Sequence, residues 1–346
     1  MIVRLLSPAV RLFSSPSLTF HPRRARELKY VSREMDYGSF QSEVKKPANF
    51  RLCNVSSYTI ELLEIVADQP SMHVLFIPGN PGVVTFYTDF VESLFELLGG
   101  TASITAIGHI GQTKKNWERG KLFSLQEQID HKMDFIKQEL QNTEIPLILV
   151  GHSIGSYISL QMLRRSPEKV IYYIGLYPFL ALNLQSKMQM IIGKIAMSKV
   201  LSTSASFLVA SLGLLPRWTL RLIVKNFLGK SWSNAAVDAA CSHLPQYHVM
   251  RNVLFMAMTE FRKLAETPDW AFMRENQDKI AFLFSTDDHW GPLQMLDEIA
   301  RQVPGASLSI EREGHTHGFS CTEAGSLWVA HHIASLIKNR LCDSSQ

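Results

Sequence analysis

Apolar residues arrive in short, unbroken runs at several places along the chain: Met72 to Ile77 (MHVLFI), Pro146 to Val150, Val170 to Leu176 (VIYYIGL) and Ile280 to Ser285 (IAFLFS). Runs of this length without alternation suit strands covered on both faces. Ser103 to Ile107 and Ala306 to Ile310 read as two more. Arg51 to Ala67 instead alternates apolar and polar positions around Ser56-Ser57, which predicts one or two edge strands. Between these runs the spacing becomes helical. Phe86 to Leu98 ends in Gly99-Gly100, a C-cap, and Ser124-Leu-Gln-Glu127 is a capping box opening a helix to about Leu140. Further helices are predicted over Ile154 to Arg165, near Leu293 to Gln302, and from about Gly325 to Leu341. Buried strands alternating with helices predict an α/β fold, a mostly parallel sheet with helices on both faces.

One block breaks the rhythm. From Leu180 to Trp270 there is no clear strand, only helix-like sequence rich in Leu, Met, Ile and Ser. We read it as a helical insertion at about 180–270 inside a domain spanning 48–342. A length of 346 residues with 46% hydrophobic and 19% charged side chains is enough for one large core. The net charge of +4 owes much to the first 35 residues, and no basic stripe with interleaved aromatics follows. Nucleic acid is therefore not an expected partner. The four cysteines show no CxxC or metal-like spacing, which suits free thiols in a reducing compartment. Segment 1–35 is rich in Arg and Ser, with no acid before Glu27. It has the composition of a mitochondrial or plastid transit peptide, a disordered basic tail being the alternative.

The stretch LILVGHSIGSY, Leu147 to Tyr157, carries the chemistry. Gly151-His-Ser153-Ile-Gly155 fits the G-x-S-x-G pattern, and here a strand precedes it and a helix follows. That context lifts the serine hydroxyl onto a helix N-terminus as a nucleophile. Such a serine needs a base, and the base an orienting acid, in the chain order Ser, Asp, His. STDDHWGP supplies Asp287 and Asp288 just past a predicted strand; EGHTHGFS supplies His315 and His317 past the next. Asp288 is favoured because the His289-Trp290-Gly-Pro turn would hold it at a loop tip, while Asp287 could cap that turn. His317, before Gly318-Phe319, is favoured over His315. A His-x-His pair can also hold a metal, but no third ligand stands nearby, so neither metal nor cofactor is expected. The loop Pro78-Gly79-Asn80-Pro81-Gly82 follows the first central strand, where half of an oxyanion hole belongs. Pro81 has no N–H, which leaves the backbone N–H groups of Asn80 and Ile154 as the expected donors. His152 is expected to pack within the elbow, His109 to be a loop residue, His331-His332 to be surface, and the Met188–Met190 and Met256–Met258 pairs to be core.

Taken together, IPGNPGVVTFY, LVGHSIGSY, STDDHW and HGF resemble the lipid droplet-associated hydrolase family of α/β-hydrolases, from about Val74 to the last helix. The resemblance implies an α/β-hydrolase fold with a helical cap, and a serine hydrolase of lipid esters on lipid droplets and endoplasmic reticulum. It aligns Asp288 with the acid, since Trp290 stands two residues later, and His317 with the base. The basic amino terminus departs from the family pattern and leaves organelle targeting open. A droplet-coating protein with little activity and a soluble organellar thioesterase are the alternatives. Within the insertion, Leu201 to Leu215 carries no charge but falls short of the ~20 apolar residues that a spanning helix needs. Trp218, Arg221, Lys225 and Lys230 follow, with Lys194 and Lys199 upstream. Short apolar stretches flanked by Trp and basic residues predict a segment lying in a lipid interface; a cap packed over the active site is the competing role.

Overall fold

The computed structural model describes residues 46–140 and 144–343, so the basic segment 1–35 lies outside the described residues. The first half of the chain supplies β1 (Asn49–Val55), β2 (Tyr58–Ile65), β3 (Met72–Ile77), α1 (Thr88–Leu97), β4 (Ala102–Ile107), α2 (Leu125–Glu139), β5 (Leu147–His152), α3 (Ile154–Arg165) and β6 (Val170–Leu176). Six helices follow without a strand: α4 (Lys187–Met197), α5 (Lys199–Ser211), α6 (Arg217–Ile223), α7 (Asn234–His243), α8 (Tyr247–Lys263) and α9 (Trp270–Glu275). The chain then returns to the sheet through β7 (Ile280–Ser285), α10 (Leu293–Gln302), β8 (Ser307–Glu311) and α11 (Glu323–Asp343).

The eight strands form one sheet in the order β1-β2-β4-β3-β5-β6-β7-β8, antiparallel at β1–β2 and β2–β4 and parallel from β4 onward. The alternating stretch is a hairpin. Ser56 and Ser57 hold φ of 50° and 70° between the paired Val55 and Tyr58, the twist that a two-residue turn needs. Of these two strands only β1 is an edge; β2 lies inside the sheet, paired on both sides. That explains why its apolar content outlasts strict alternation.

On β3, Val74 and Phe76 pack with α1 and α11, while Leu75 and Ile77 pack with α2, α3 and α10. Successive side chains therefore feed two cores, which is why the central strands had to be apolar throughout. Local signals behave as their chemistry requires. Ser124 and Glu127 form the full capping box. Gly99 and Gly100, both at φ 68°, close α1 with N–H bonds to Glu96 and Phe95, the αL arrangement that glycine adopts without a Cβ penalty. Helix α1 itself starts later than its periodicity suggested, because Val84–Tyr87 forms a 3-10 turn first.

The α4–α9 block is a cap fixed to the core at buried points. Ser233 N–H donates to Cys321 C=O at 2.8 Å, and His243 Nε2 lies 2.9 Å from the Glu61 carboxylate on β2. The parallel topology sends the loops after β3, β5, β7 and β8 to one carboxyl edge of the sheet, directly beneath this cap. Cys53, Cys241, Cys321 and Cys342 are free thiols. Met256 is buried as expected, but Met190 is half exposed on α4 rather than in the core.

Candidate active site

Ser153 stands at the junction of β5 and α3 with φ 55° and ψ −122°. A non-glycine residue in that region costs on the order of 1–3 kcal/mol unless its surroundings enforce it. They do. Ser153 N–H donates to Leu176 C=O (2.9 Å), and Ser153 C=O accepts from Ser156 (3.0 Å) and Phe179 (3.2 Å). The flanking glycines are required by space: a Cβ on residue 151 would meet Gly155 O at 2.3 Å, and one on residue 155 would meet Ile77 O at 2.2 Å.

The two members of each ambiguous pair stand in different surroundings. Asp288 is buried, and Asp287 is exposed. His317 Nδ1 donates to Asp288 Oδ2 at 2.8 Å, and Trp290 N–H donates to Asp288 Oδ1 at 2.8 Å. Two donors fix this carboxylate, which has no exposed side-chain surface, and with Nδ1 donating, Nε2 is left as the accepting nitrogen of a neutral His317. His315 instead packs its ring against Trp328, with centroids 5.9 Å apart. Ser153 and His317 line the same cavity, of about 170 Å³, and so do Asn80 and Ile154. Among the described residues, the Asn80 and Ile154 N–H groups have no protein partner.

His152 links three loops. Its Nε2 lies 2.9 Å from the His317 carbonyl, which can only accept, so Nε2 carries the proton and Nδ1 accepts from Tyr87 Oη at 2.7 Å. Tyr87 Oη in turn accepts from Gly79 N–H at 3.2 Å. Burial, then the neighbouring His317, holds His152 well below the usual imidazole range, so it stays neutral as this chain of bonds requires. His109 is buried in the β4–α2 loop, its ring filling the space above Gly82 where a Cβ would stand. His331 is exposed, whereas His332 stacks on Trp328 and is partly buried.

The remaining wall is apolar, contributed by Phe179, Ile195, Leu208, Val253, Phe261 and Trp290 among others, with one exception. Glu260, on α8, is buried there and accepts from Asn80 Nδ2 at 3.0 Å. Sequence reasoning missed it, although the signal was present. Val249, Val253, Met256 and Glu260 lie on one helical stripe, so an acid sits where the pattern asks for an apolar residue. Chemically, the assembly offers a cavity-lining hydroxyl at a helix start, an oriented imidazole, two N–H groups without a protein partner and an apolar wall, which are the parts that an acyl-transfer site needs.

Comparison with known proteins bears on the family and the fold. The sequence profile of the family described as Lipid-droplet associated hydrolase matches residues 70–320. The chain is 28% identical to the lipid droplet-associated hydrolase of Gallus gallus over 266 residues, covering 72% of this chain and 80% of that one. It is 28% identical to the Dictyostelium discoideum protein of the same name (75% and 86% covered) and 25% identical to the Homo sapiens one (72% and 80%). Among solved structures, a haloalkane dehalogenase from Agrobacterium tumefaciens superposes with a TM-score of 0.64 at 13% identity (85% and 98% covered), and an epoxide hydrolase from Vigna radiata with 0.60 at 16% (85% and 99%). At such identities these two speak for the fold alone.

Burial raises the Glu260 carboxyl from the usual 4.5 to about 8, against the lowering effect of the Asn80 hydrogen bond. Between those values the unfolded chain has released this proton and the folded chain still holds it, so stability falls as pH rises through the window. Urea unfolding at pH 5 and pH 8 should show wild type losing on the order of a few kcal/mol relative to Glu260→Gln. An identical gap at both pH values would contradict this.

Proposed function

The chain belongs to the lipid droplet-associated hydrolase family, and from that membership we propose that it is a serine hydrolase of lipid esters working by acyl transfer through Ser153. The observation that carries the proposal is the convergence of Ser153 and the His317–Asp288 pair on one largely apolar cavity. His317 Nε2 takes the Ser153 proton as the hydroxyl attacks the ester carbonyl, and Asp288 holds the imidazole in the tautomer that allows this. The oxyanion of the tetrahedral intermediate lies between the Asn80 and Ile154 N–H groups. His317 then protonates the leaving alcohol, and water attacks the acyl-enzyme by the same route in reverse. The apolar wall suits an acyl chain or a hydrophobic alcohol.

The site of action we propose is the droplet surface, as the names of the relatives suggest, and we extend it to exchange with the endoplasmic reticulum. Support comes from the cap. Leu201, Phe207, Leu214, Trp218, Leu222 and Phe227 are all exposed, Leu214 by 87% and Trp218 by 67%, close to Arg221, Lys225 and Lys230 in the sequence. Exposed large apolar side chains interspersed with basic residues are what a lipid interface selects. Among the described residues, no single helix is long and apolar enough to cross a membrane. Lys187–Met197 and Lys199–Leu214 would reach the length only jointly, and they are bent by 99°. Burying each large side chain contributes on the order of 1.5–3 kcal/mol, so several together suffice to hold the protein on a monolayer. A droplet-coating role by the same surface is the second reading, and it does not need Ser153.

A fluorophosphonate probe should label Ser153 in the intact chain, as peptide mapping will show, and should fail on Ser153→Ala. A folded wild-type protein that resists labelling would defeat the proposal. For the surface, Leu214→Asp, Trp218→Asp and Phe227→Asp combined should leave labelling intact while the protein leaves droplets in cell imaging. Undiminished droplet coating by that variant would sink the anchoring role.

A further inference from the structure

The side chain of Asn80 is gripped from two directions. Both protons of its carboxamide are used on the cap helix α8: Nδ2 donates to Val253 C=O at 2.9 Å and to Glu260 Oε1 at 3.0 Å. Its oxygen is used on the core, accepting from Gln112 Nε2 at 3.3 Å. The Gln112 carboxamide also accepts from Gly82 N–H at 2.6 Å, so it clasps both sides of the Asn80-Pro81 step. Immediately upstream, Gly79 N–H is held by Tyr87 Oη. The peptide unit that carries the Asn80 N–H therefore lies between a tether on Gly79 and a fully satisfied side chain on Asn80.

Glu260 is out of place unless it serves this grip. It occupies the apolar stripe of α8 and the apolar wall of the cavity, where burying a carboxyl is costly and a Leu or Met would pack without that cost. What the carboxyl adds there is an acceptor for Asn80. We infer that Glu260, on the cap, is a positioning residue of the hydrolytic reaction: with Gln112 it fixes Asn80 so that the Asn80 backbone N–H is aimed at the oxyanion formed on Ser153. The inference rests on the serine-hydrolase reading. It follows that the oxyanion site is completed by the cap and is not a property of the sheet edge alone. Donor groups stabilise a developing charge only where they are already aimed, so loosening Asn80 should slow the chemical step and leave ground-state binding nearly unchanged.

The test uses the full chain with p-nitrophenyl butyrate as the probe ester, and compares wild type with Glu260→Gln, Glu260→Met and Gln112→Leu. Glutamine keeps a carbonyl acceptor for Asn80; methionine fills the volume without one. Glu260→Met should fold at least as stably as wild type at pH 8, since it removes a buried carboxyl. Its kcat should fall about 10- to 100-fold with KM within about twofold, whereas Glu260→Gln should stay within about threefold of wild type. Gln112→Leu removes the grip from the core side and should behave like Glu260→Met; it carries the test if the methionine variant fails to fold. A kcat within about threefold of wild type in Glu260→Met, a loss confined to KM, or a glutamine variant as impaired as the methionine one would overturn the inference while wild-type turnover leaves the serine-hydrolase reading standing. Wild-type protein without Ser153-dependent turnover would remove that reading and the inference together.

Discussion

Helix α3 can begin where it does only because residue 155 has no side chain: a Cβ there would stand 2.2 Å from the carbonyl oxygen of Ile77 and 2.5 Å from that of Pro78. That contact brings the start of α3 against the end of β3, and much of the site follows from it. Ser153 must then turn through a positive φ, with Gly151 making room on the strand side. Ile154 N–H, the first of the helix, and the loop from Pro78 to Gly82 are brought to the same cavity. Gly79 lies so near that a Cβ on it would be 3.1 Å from the serine's own. One close approach of two backbones therefore brings the Ser153 hydroxyl and the Asn80 and Ile154 N–H groups to one cavity, where the cap residue Glu260 holds the Asn80 side chain.

The cap solves a different problem. Helices α4 and α5 present Ile195, Ala205, Leu208 and Val209 to the cavity and Ile191, Leu201 and Phe207 to the outside. A layer one helix thick, apolar on both sides, is poorly suited to water on its outer face and well suited to lipid. The buried polar ties, His243 to Glu61 and Asn80 to Glu260, give this otherwise greasy layer a defined seat on the core. Hydrogen bonds are directional where apolar contacts are not, so these ties set the position of the layer.

Much of this was legible in the chain because the physics is local. MHVLFI, VIYYIGL and IAFLFS read as strands covered on both sides, and they are. Ser124 with Glu127, and Gly99 with Gly100, announce helix ends through bonds that span a few residues. The elbow is legible for the same reason in part: Gly151 answers a clash with Gly155 four residues on, whereas Gly155 answers one with Ile77 on another strand. Pattern favoured Asp288 over Asp287 only through the turn that follows, since the two are adjacent in a loop without period; in the structure Asp288 is the buried one and takes the bonds from His317 and Trp290. Glu260 was illegible in practice because its partner is 180 residues away, and a lone acid on a helix is ordinarily a solvated one. The interior position of β2 was missed because pairing on both sides depends on β4, which the hairpin's own residues do not specify.

The central claim is that Ser153, Asn80 and Ile154 converge on one reacting carbon and its oxygen. A crystal structure of the protein with an alkyl boronic acid tests it most directly, because boron bonded to a serine oxygen mimics the tetrahedral intermediate. The account predicts a covalent bond from Ser153 Oγ to boron, with one boronate oxygen within hydrogen-bond distance of both the Asn80 and the Ile154 N–H. A boronate bound in the cavity without a bond to Ser153, or bonded with its oxygens turned away from both donors, would contradict it.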